Sequence, residues 1–384
     1  RLNVETKPNL SWQLLLRNKA LTNPAPMTMT VEGHGVLGEK TEIKRYVKSS
    51  INKVLRPEVR QKGASVPELY NDLVLEFEGG WGVTFRMYNE GMAYRFFTRF
   101  NGKVAVMDET YSFSPTNAQN MFFPEEDGFY SHNERIFKQI PAAGLRAGQL
   151  ASLPALVEME GGVKMLLTET DLQDYPGLWI NATGDGKGGL RGVFPKYPKF
   201  KVELTNRDIQ PTDREPFMAF ADGTRNYPWR LFLVAEKDAD LLTNQLPWLL
   251  AEPSRLKQTD WIRPGKVAWD WWNNLNLYGV DFRAGINTPT YKYFVDFAAA
   301  NGLEYIILDE GWSETGHLNQ INANLDMDEL AAYAKGKGVG IILWVTWSSI
   351  DRQFELLLPN LKKWDIKGLK IDFMQRDDQE AVKF

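Results

Sequence analysis

Four carboxylates and one lysine in the last third of the chain fall where strand-like runs end. They are Asp270 in "VAWDWW", Asp309 and Glu310 in "YIILDEGW", and Asp372 two residues after Lys370 in "GLKIDF". Alternate residues of a strand share a face, so Lys370 and Asp372 lie side by side, and the ammonium keeps the carboxylate ionised as a nucleophile requires. Asp270, Asp309 and Glu310, taken one at a time, also read as strand-end caps or salt-bridge partners. Other chemistries lack their parts. The three histidines (His34, His132, His317) are far apart, cysteine is absent, and no phosphate-binding loop of the Walker type occurs. What remains is carboxylate chemistry, of which glycoside hydrolysis is the standard two-carboxylate case.

Tryptophan crowds the same region: of 13 in the chain, those at 261, 269, 271, 272, 312, 344, 347 and 364 fall in its last third. An indole offers a flat apolar face with a polar edge, which suits a sugar ring as well as a packed core.

The elements that must position these residues alternate from Gly265 onward. "GKVAWDWW" reads as a strand, and Thr288-Pro289 opens a helix that stops at Gly302. "EYIILDEGW" follows, then a helix from Asn324 to Gly338, the strand "GVGIILWVTWS", the helix "DRQFELLLPNLKKW" and the strand "GLKIDF". Strands apolar on both faces and about 30 residues apart predict βαβ units of a parallel sheet, with an α/β barrel as the first candidate. Only four such units are present, about half of a closed barrel, and Phe384 falls in a helix start. A piece of a longer protein is therefore expected. Reacting groups of such barrels sit at the C-terminal strand ends, where these acids are.

Before about residue 235 the period is two. "DLVLEFEGGWGVTFRMYNEGMAYRFFTRF" alternates apolar residues between turns at Gly79-Gly80 and Asn89-Glu90-Gly91, and "VKMLLTE", "LWINAT", "KFKVEL" and "WRLFLVA" continue the pattern. Many short antiparallel strands predict a large β-sandwich. The predicted organisation is a β-sandwich domain at 1–238, a helical linker at 239–264 carrying "DADLLTNQLPWLL", and the first half of a (β/α)8 barrel at 265–384. "GDGKGG" matches a dinucleotide fingerprint, but no helix follows, so it reads as a hairpin loop. The sequon Asn181-Ala182-Thr183 is equally unspecific.

The net charge of −4 and the lack of a long basic run speak against a nucleic-acid partner. No apolar run is long enough for a transmembrane helix, and no signal peptide begins at Arg1.

Taken together and in order, "FRMYNEGMAYRF", "LLTETDLQDYPGLWI", "VAWDWWNN", "YIILDEGW" and "GLKIDFMQRDDQ" resemble glycoside hydrolase family 97, the bacterial α-glycosidases with a β-super-sandwich before a catalytic barrel. The resemblance implies an oligosaccharide substrate, a periplasmic or secreted location, and a bound calcium ion with Glu169 as one ligand. Inverting members carry a His-His-Glu segment at the end of the third strand, where this chain reads "WVTWSS"; retaining members place a nucleophile where this chain has Asp372. By similarity, Asp372 is expected to be the nucleophile of a retaining α-galactosidase. The acid/base Glu is then expected on a later strand, beyond residue 384. Trp269, Asp270, Trp271, Trp272, Asp309, Glu310, Trp312 and Lys370 are expected to bind the sugar. An α-glucosidase of the same family and a non-catalytic carbohydrate-binding protein are the competing expectations.

Overall fold

The computed structural model describes residues 1–57 and 62–384. Two compact units emerge, and neither is contiguous in sequence. The β-rich unit comprises 1–200, 212–259 and 375–384; the α/β unit comprises 201–211 and 260–374.

In the β-rich unit a 12-stranded sheet contains β1 (Ile43–Leu55), β2 (Val66–Phe77), β3 (Trp81–Tyr88) and β4 (Gly91–Thr110), joined in sequence by antiparallel pairing. The turns fall at the Gly79-Gly80 and Asn89-Glu90 positions that the alternation predicts. A separate 5-stranded sheet includes β6 (Trp179–Ala182) and β7 (Leu190–Val193), whose connection is the "GDGKGG" loop. That loop is a hairpin turn, tied by Asp185 Oδ1 accepting from the N–H groups of Lys187 and Gly189. The inward residues of the sheets, among them Trp12, Phe85, Tyr94, Met165 and Phe232, form one core.

β5 (Lys164–Thr170) and β10 (Trp229–Ala235) lie in the 12-stranded sheet, with Glu169 directly opposite Arg230. The hairpin of β8 (Pro198–Thr205) and β9 (Asp208–Arg214) carries the residues 201–211 that cluster with the α/β unit. The leucine-rich stretch predicted as one helix is two, α1 (Asp238–Thr243) and α2 (Leu246–Leu250). Between them Asn244 turns the chain, its Oδ1 accepting from Leu246 N–H, and Pro247 starts the second helix.

The α/β unit holds a four-stranded sheet in sequence order: β11 (Val267–Trp269), β12 (Tyr305–Leu308), β13 (Gly340–Thr346) and β14 (Gly368–Asp372). All three pairings are parallel. The connections contain α3 (Thr288–Ala300), α4 (Met327–Gly336) and α5 (Trp347–Lys363). Their starts follow local side-chain chemistry. Asn287, Asp326 and Thr346 each accept a backbone N–H of the first turn, satisfying donors that a helix end leaves free. The Thr346 cap starts α5 at Trp347, four residues before the predicted Asp351. Apolar helix residues such as Phe294, Leu330 and Leu357 pack with Ile306, Leu308, Ile341 and Leu343 of the strands. This burial fixes the strand register and therefore the height at which each strand-end residue emerges.

Candidate active site

Each strand end contributes to one network. β11 stops at Trp269, earlier than predicted, and Asp270–Asn273 form a 3-10 turn. The stop has a local cause: Asp270 accepts the Asp309 N–H at 3.2 Å and the Tyr291 hydroxyl at 2.7 Å, which draws the chain out of the ladder. Tyr291, on α3, was not singled out from the sequence. Only a buried hydroxyl facing an acid identifies it.

Lys370 is the centre. Its Nζ lies 2.7 Å from Asp309 Oδ2 and 3.5 Å from Asp372 Oδ2, so one ammonium bridges two carboxylates. It also sits 4.5 Å from the centre of the Trp269 ring, whose indole N–H donates to Asp309 Oδ2 at 2.6 Å. Asp372 is held separately. Trp344 Nε1 donates to its Oδ2 at 2.9 Å, and Phe373 N–H donates to its Oδ1 at 2.8 Å. The parallel register places Trp344 beside Lys370 and Thr346 beside Asp372, which explains why the indole reaches the carboxylate. Partial burial works against a charge on Asp372, but the Trp344 and Phe373 donors and Lys370 outweigh it and hold the carboxyl below its usual value.

The two other acids behave differently. Burial pushes Asp270 above the usual aspartate value, against the pull of Tyr291 and the Asp309 N–H. Asp270 is 2% exposed and both its oxygens face protein donors, so the expectation that it binds sugar is corrected: it positions the Asp309 backbone. Asp309 is also buried, with Oδ1 accepting from Glu310 N–H at 2.9 Å and Oδ2 taken by Trp269 and Lys370. Its first task is to anchor Lys370. Trp312 is corrected as well. It is 1% exposed, donates to the Trp344 carbonyl at 2.7 Å and packs edge-on against Trp364, so it belongs to the core and walls no pocket.

Glu310, Lys370 and three indoles are open. Trp271 and Trp272 are exposed and stack near-parallel with Trp269, at ring-centre distances of 5.4 and 6.2 Å. Such a face suits the apolar side of a pyranose. Gly311 in "DEGW" has φ of 111°, a conformation that favours glycine and turns Glu310 and Trp312 to different surroundings. Two clefts of ≈ 900 and ≈ 970 Å³ lie in the β-rich unit, and neither is lined by any of these residues. Convergent charge, not cavity size, marks the site.

Glu169 is placed in the β-rich unit, inside a buried cluster. Arg230 makes paired hydrogen bonds to Glu109, both at 2.8 Å, and also donates to Glu169. Leu178 N–H takes the other Glu169 oxygen at 2.8 Å, and Tyr175 donates to Glu109 at 3.0 Å.

Two family models match this chain one after the other. Residues 1–253 match the family model "Glycosyl-hydrolase 97 N-terminal", and residues 271–384 match "Glycoside hydrolase 97". The chain belongs to glycoside hydrolase family 97. A retaining alpha-galactosidase of Bacteroides thetaiotaomicron is 37% identical over 388 residues, covering 98% of this chain and 58% of that protein. A probable retaining alpha-galactosidase of Streptomyces bingchenggensis is 27% identical over 404 residues, covering 100% of this chain and 57% of that protein. The chain thus spans under two thirds of the length of these relatives. Among solved structures, a family 97 enzyme from Pseudoalteromonas sp. strain K8 in complex with acarbose superposes with a TM-score of 0.82 at 19% identity. It covers 100% of this chain and 61% of that one. A beta-arabinopyranosidase superposes with a TM-score of 0.79 at 21% identity, over 100% of this chain and 62% of that one. At these identities the structures speak for the fold. No helix among the described residues of this family 97 chain is long and apolar enough to cross a membrane.

Proposed function

We propose that this chain is the N-terminal part of a periplasmic or secreted retaining α-galactosidase, with Asp372 as the nucleophile. The observation that carries the reading is the hold on Asp372: a strand-end carboxylate kept ionised by Trp344, the Phe373 N–H and Lys370. The likeness to a retaining alpha-galactosidase along almost the whole chain supports the substrate. The parallel order of β11 to β14, with acids at their C-terminal ends, supports the reading of this sheet as half of a (β/α)8 barrel.

In the proposed first step an Asp372 oxygen bonds to the anomeric carbon as the bond from that carbon to the leaving oxygen breaks. A Glu on a later strand, outside residues 1–384, gives its proton to the leaving oxygen. In the second step the same Glu takes a proton from water, which attacks the anomeric carbon and frees Asp372. Retention requires the two carboxyl groups to be about 5–5.5 Å apart. Trp269, Trp271 and Trp272 supply the stacking face, and Lys370 and Glu310 bind sugar hydroxyls. Lys370, shared with Asp309, also keeps Asp372 from being protonated before it attacks.

The full-length protein is expected to release galactose from an aryl α-galactoside as the α-anomer, read by proton NMR within the first minutes. β-Galactose as the first product would refute the retaining mechanism. Faster cleavage of the matching α-glucoside would refute the galactoside assignment, and binding of galactose without turnover of either would leave a carbohydrate-binding protein.

Calcium belongs to the same proposal. Among the described residues no three acidic or histidine side chains gather, but Glu169 and Asp377 are neighbouring carboxylates of the type a hard cation takes, and Glu169 would have to exchange a present partner for the ion. Asp377 Oδ1 is buried without a partner, and burial together with the Glu169 charge pushes the Asp377 carboxyl up to about 7. Glu169 would hold the ion, whose positive charge would offset this repulsion. Chelation is expected to lower the Tm of the full-length protein, and calcium to restore it. A Tm indifferent to both would remove the ion from the proposal.

A further inference from the structure

Arg207 belongs to none of the motifs read from the sequence. It sits at the turn between β8 and β9, in the residues 201–211 that cluster with the α/β unit. Its Nη2 donates to Glu310 Oε1, and its guanidinium lies 5.1 Å from the ring centre of Phe373, the residue whose N–H holds Asp372. The turn is fastened to α5 at two places. Ser348 Oγ donates to the Asn206 carbonyl at 2.6 Å, and Arg352 makes a paired contact with Glu203 at 2.7 and 3.2 Å. The backbone of the turn is also set locally, because Thr205 Oγ1 accepts the N–H groups of Arg207 and Asp208, both at 3.2 Å. An arginine presented on so fixed a turn loses little freedom when it binds.

The geometry at Glu310 gives this contact a consequence. Oε1 accepts from Arg207 and, at 3.4 Å, from Thr315. Oε2 accepts from no described residue and is left for a ligand. Lys370 bridges Asp309 and Asp372, while Arg207 is the cation that contacts Glu310, the next residue after Asp309. Without it Glu310 would keep only the long contact from Thr315, and the oxygen that accepts a substrate hydroxyl would lose its direction.

We propose that Arg207 is a positioning residue for substrate binding, fixing Glu310 so that its free oxygen receives a sugar hydroxyl. The sugar site is then built partly by the turn of the β8–β9 hairpin, in a segment of the α/β unit that lies apart from 260–374 in the sequence. The inference rests on reading the strand ends as a sugar-binding site.

The test uses the full-length protein with four variants: Arg207→Ala, Arg207→Lys, Glu310→Gln and the Arg207→Ala/Glu310→Gln double variant. KM and kcat are measured on whichever aryl glycoside the wild type hydrolyses, and Kd for the free sugar by calorimetry. Arg207→Ala is expected to raise KM and Kd about tenfold, the scale of one charge-assisted hydrogen bond, with a smaller effect on kcat. Arg207→Lys should recover part of the loss. The double variant should bind no worse than Glu310→Gln alone, since residues acting as a unit are not additive. Wild-type KM and Kd in Arg207→Ala, or losses that multiply in the double variant, would overturn the inference. A fall in Tm that accounts for the loss, with Kd per folded molecule unchanged, would overturn it equally. A wild type that binds the sugar but hydrolyses nothing removes the hydrolase reading alone, because the Kd comparison still decides the role of Arg207.

Discussion

Replacing Asp372 by alanine in the full-length protein is expected to lower kcat on an aryl α-galactoside by about 10⁴-fold or more, the scale seen when a nucleophile is removed. Sodium azide should restore much of the rate. The small anion enters the space of the missing carboxylate, attacks the anomeric carbon from the same face and yields β-galactosyl azide. Full activity in the variant, or azide rescue giving the α-azide, would end the role assigned to Asp372. The wild type should also keep its nucleophile ionised to lower pH than an ordinary aspartate would. Despite the burial that opposes its charge, Asp372 is held down by Trp344, the Phe373 N–H and Lys370. The acid limb of kcat/KM assigned to it should therefore fall below about 3.9, the ordinary aspartate value.

The largest stability effect is expected at Arg230. The side chain is fully buried and is shared by Glu109 and Glu169, with Tyr175 completing the hydrogen bonds of Glu109. In calcium-free protein, Arg230→Ala leaves two carboxylates buried without their cation, a change that costs about 3–5 kcal/mol. In a unit of this size that lowers Tm by roughly 10 °C. The cost depends on pH. Burial already holds Glu169 above its ordinary value, against the pull of Arg230. A carboxyl raised in the folded state contributes stability that is present below its unfolded value and lost as pH rises through the folded value. Removing Arg230 raises that folded value further and widens the window. The Tm gap between variant and wild type should thus grow from about pH 4 to pH 7. A gap that is constant or shrinks over this range would show that the cluster does not carry the charge described.

Much of the site was legible because strand ends are set by short-range rules. The alternation of apolar runs and capped helices gave four parallel strands in order, and the acids at their ends followed. Side-chain period two placed Lys370 with Asp372, as found. What failed was the assignment of tasks among residues adjacent in sequence. Asp309 and Glu310, like Asp270 and Trp271, are adjacent but do not share surroundings: Asp309 and Asp270 are buried, Glu310 is half-buried and Trp271 is exposed. A backbone turn at Gly311 or at Asp270 reverses which side of the chain faces solvent, and no pattern of residue types records that. The Trp344 bond to Asp372 needs the register between β13 and β14, which depends on packing across the sheet.

The sequence by itself determined the family and the strand that carries Asp372, because each is written in motifs of a few adjacent residues. Only the tertiary structure decided that Lys370 serves two acids, that Asp270 and Trp312 are buried supports, and that Arg207 reaches Glu310 from more than 100 positions away. Those are contacts between segments distant in the chain. Burial of apolar residues elsewhere brings them together, and the residues that meet carry no local signal of their partner.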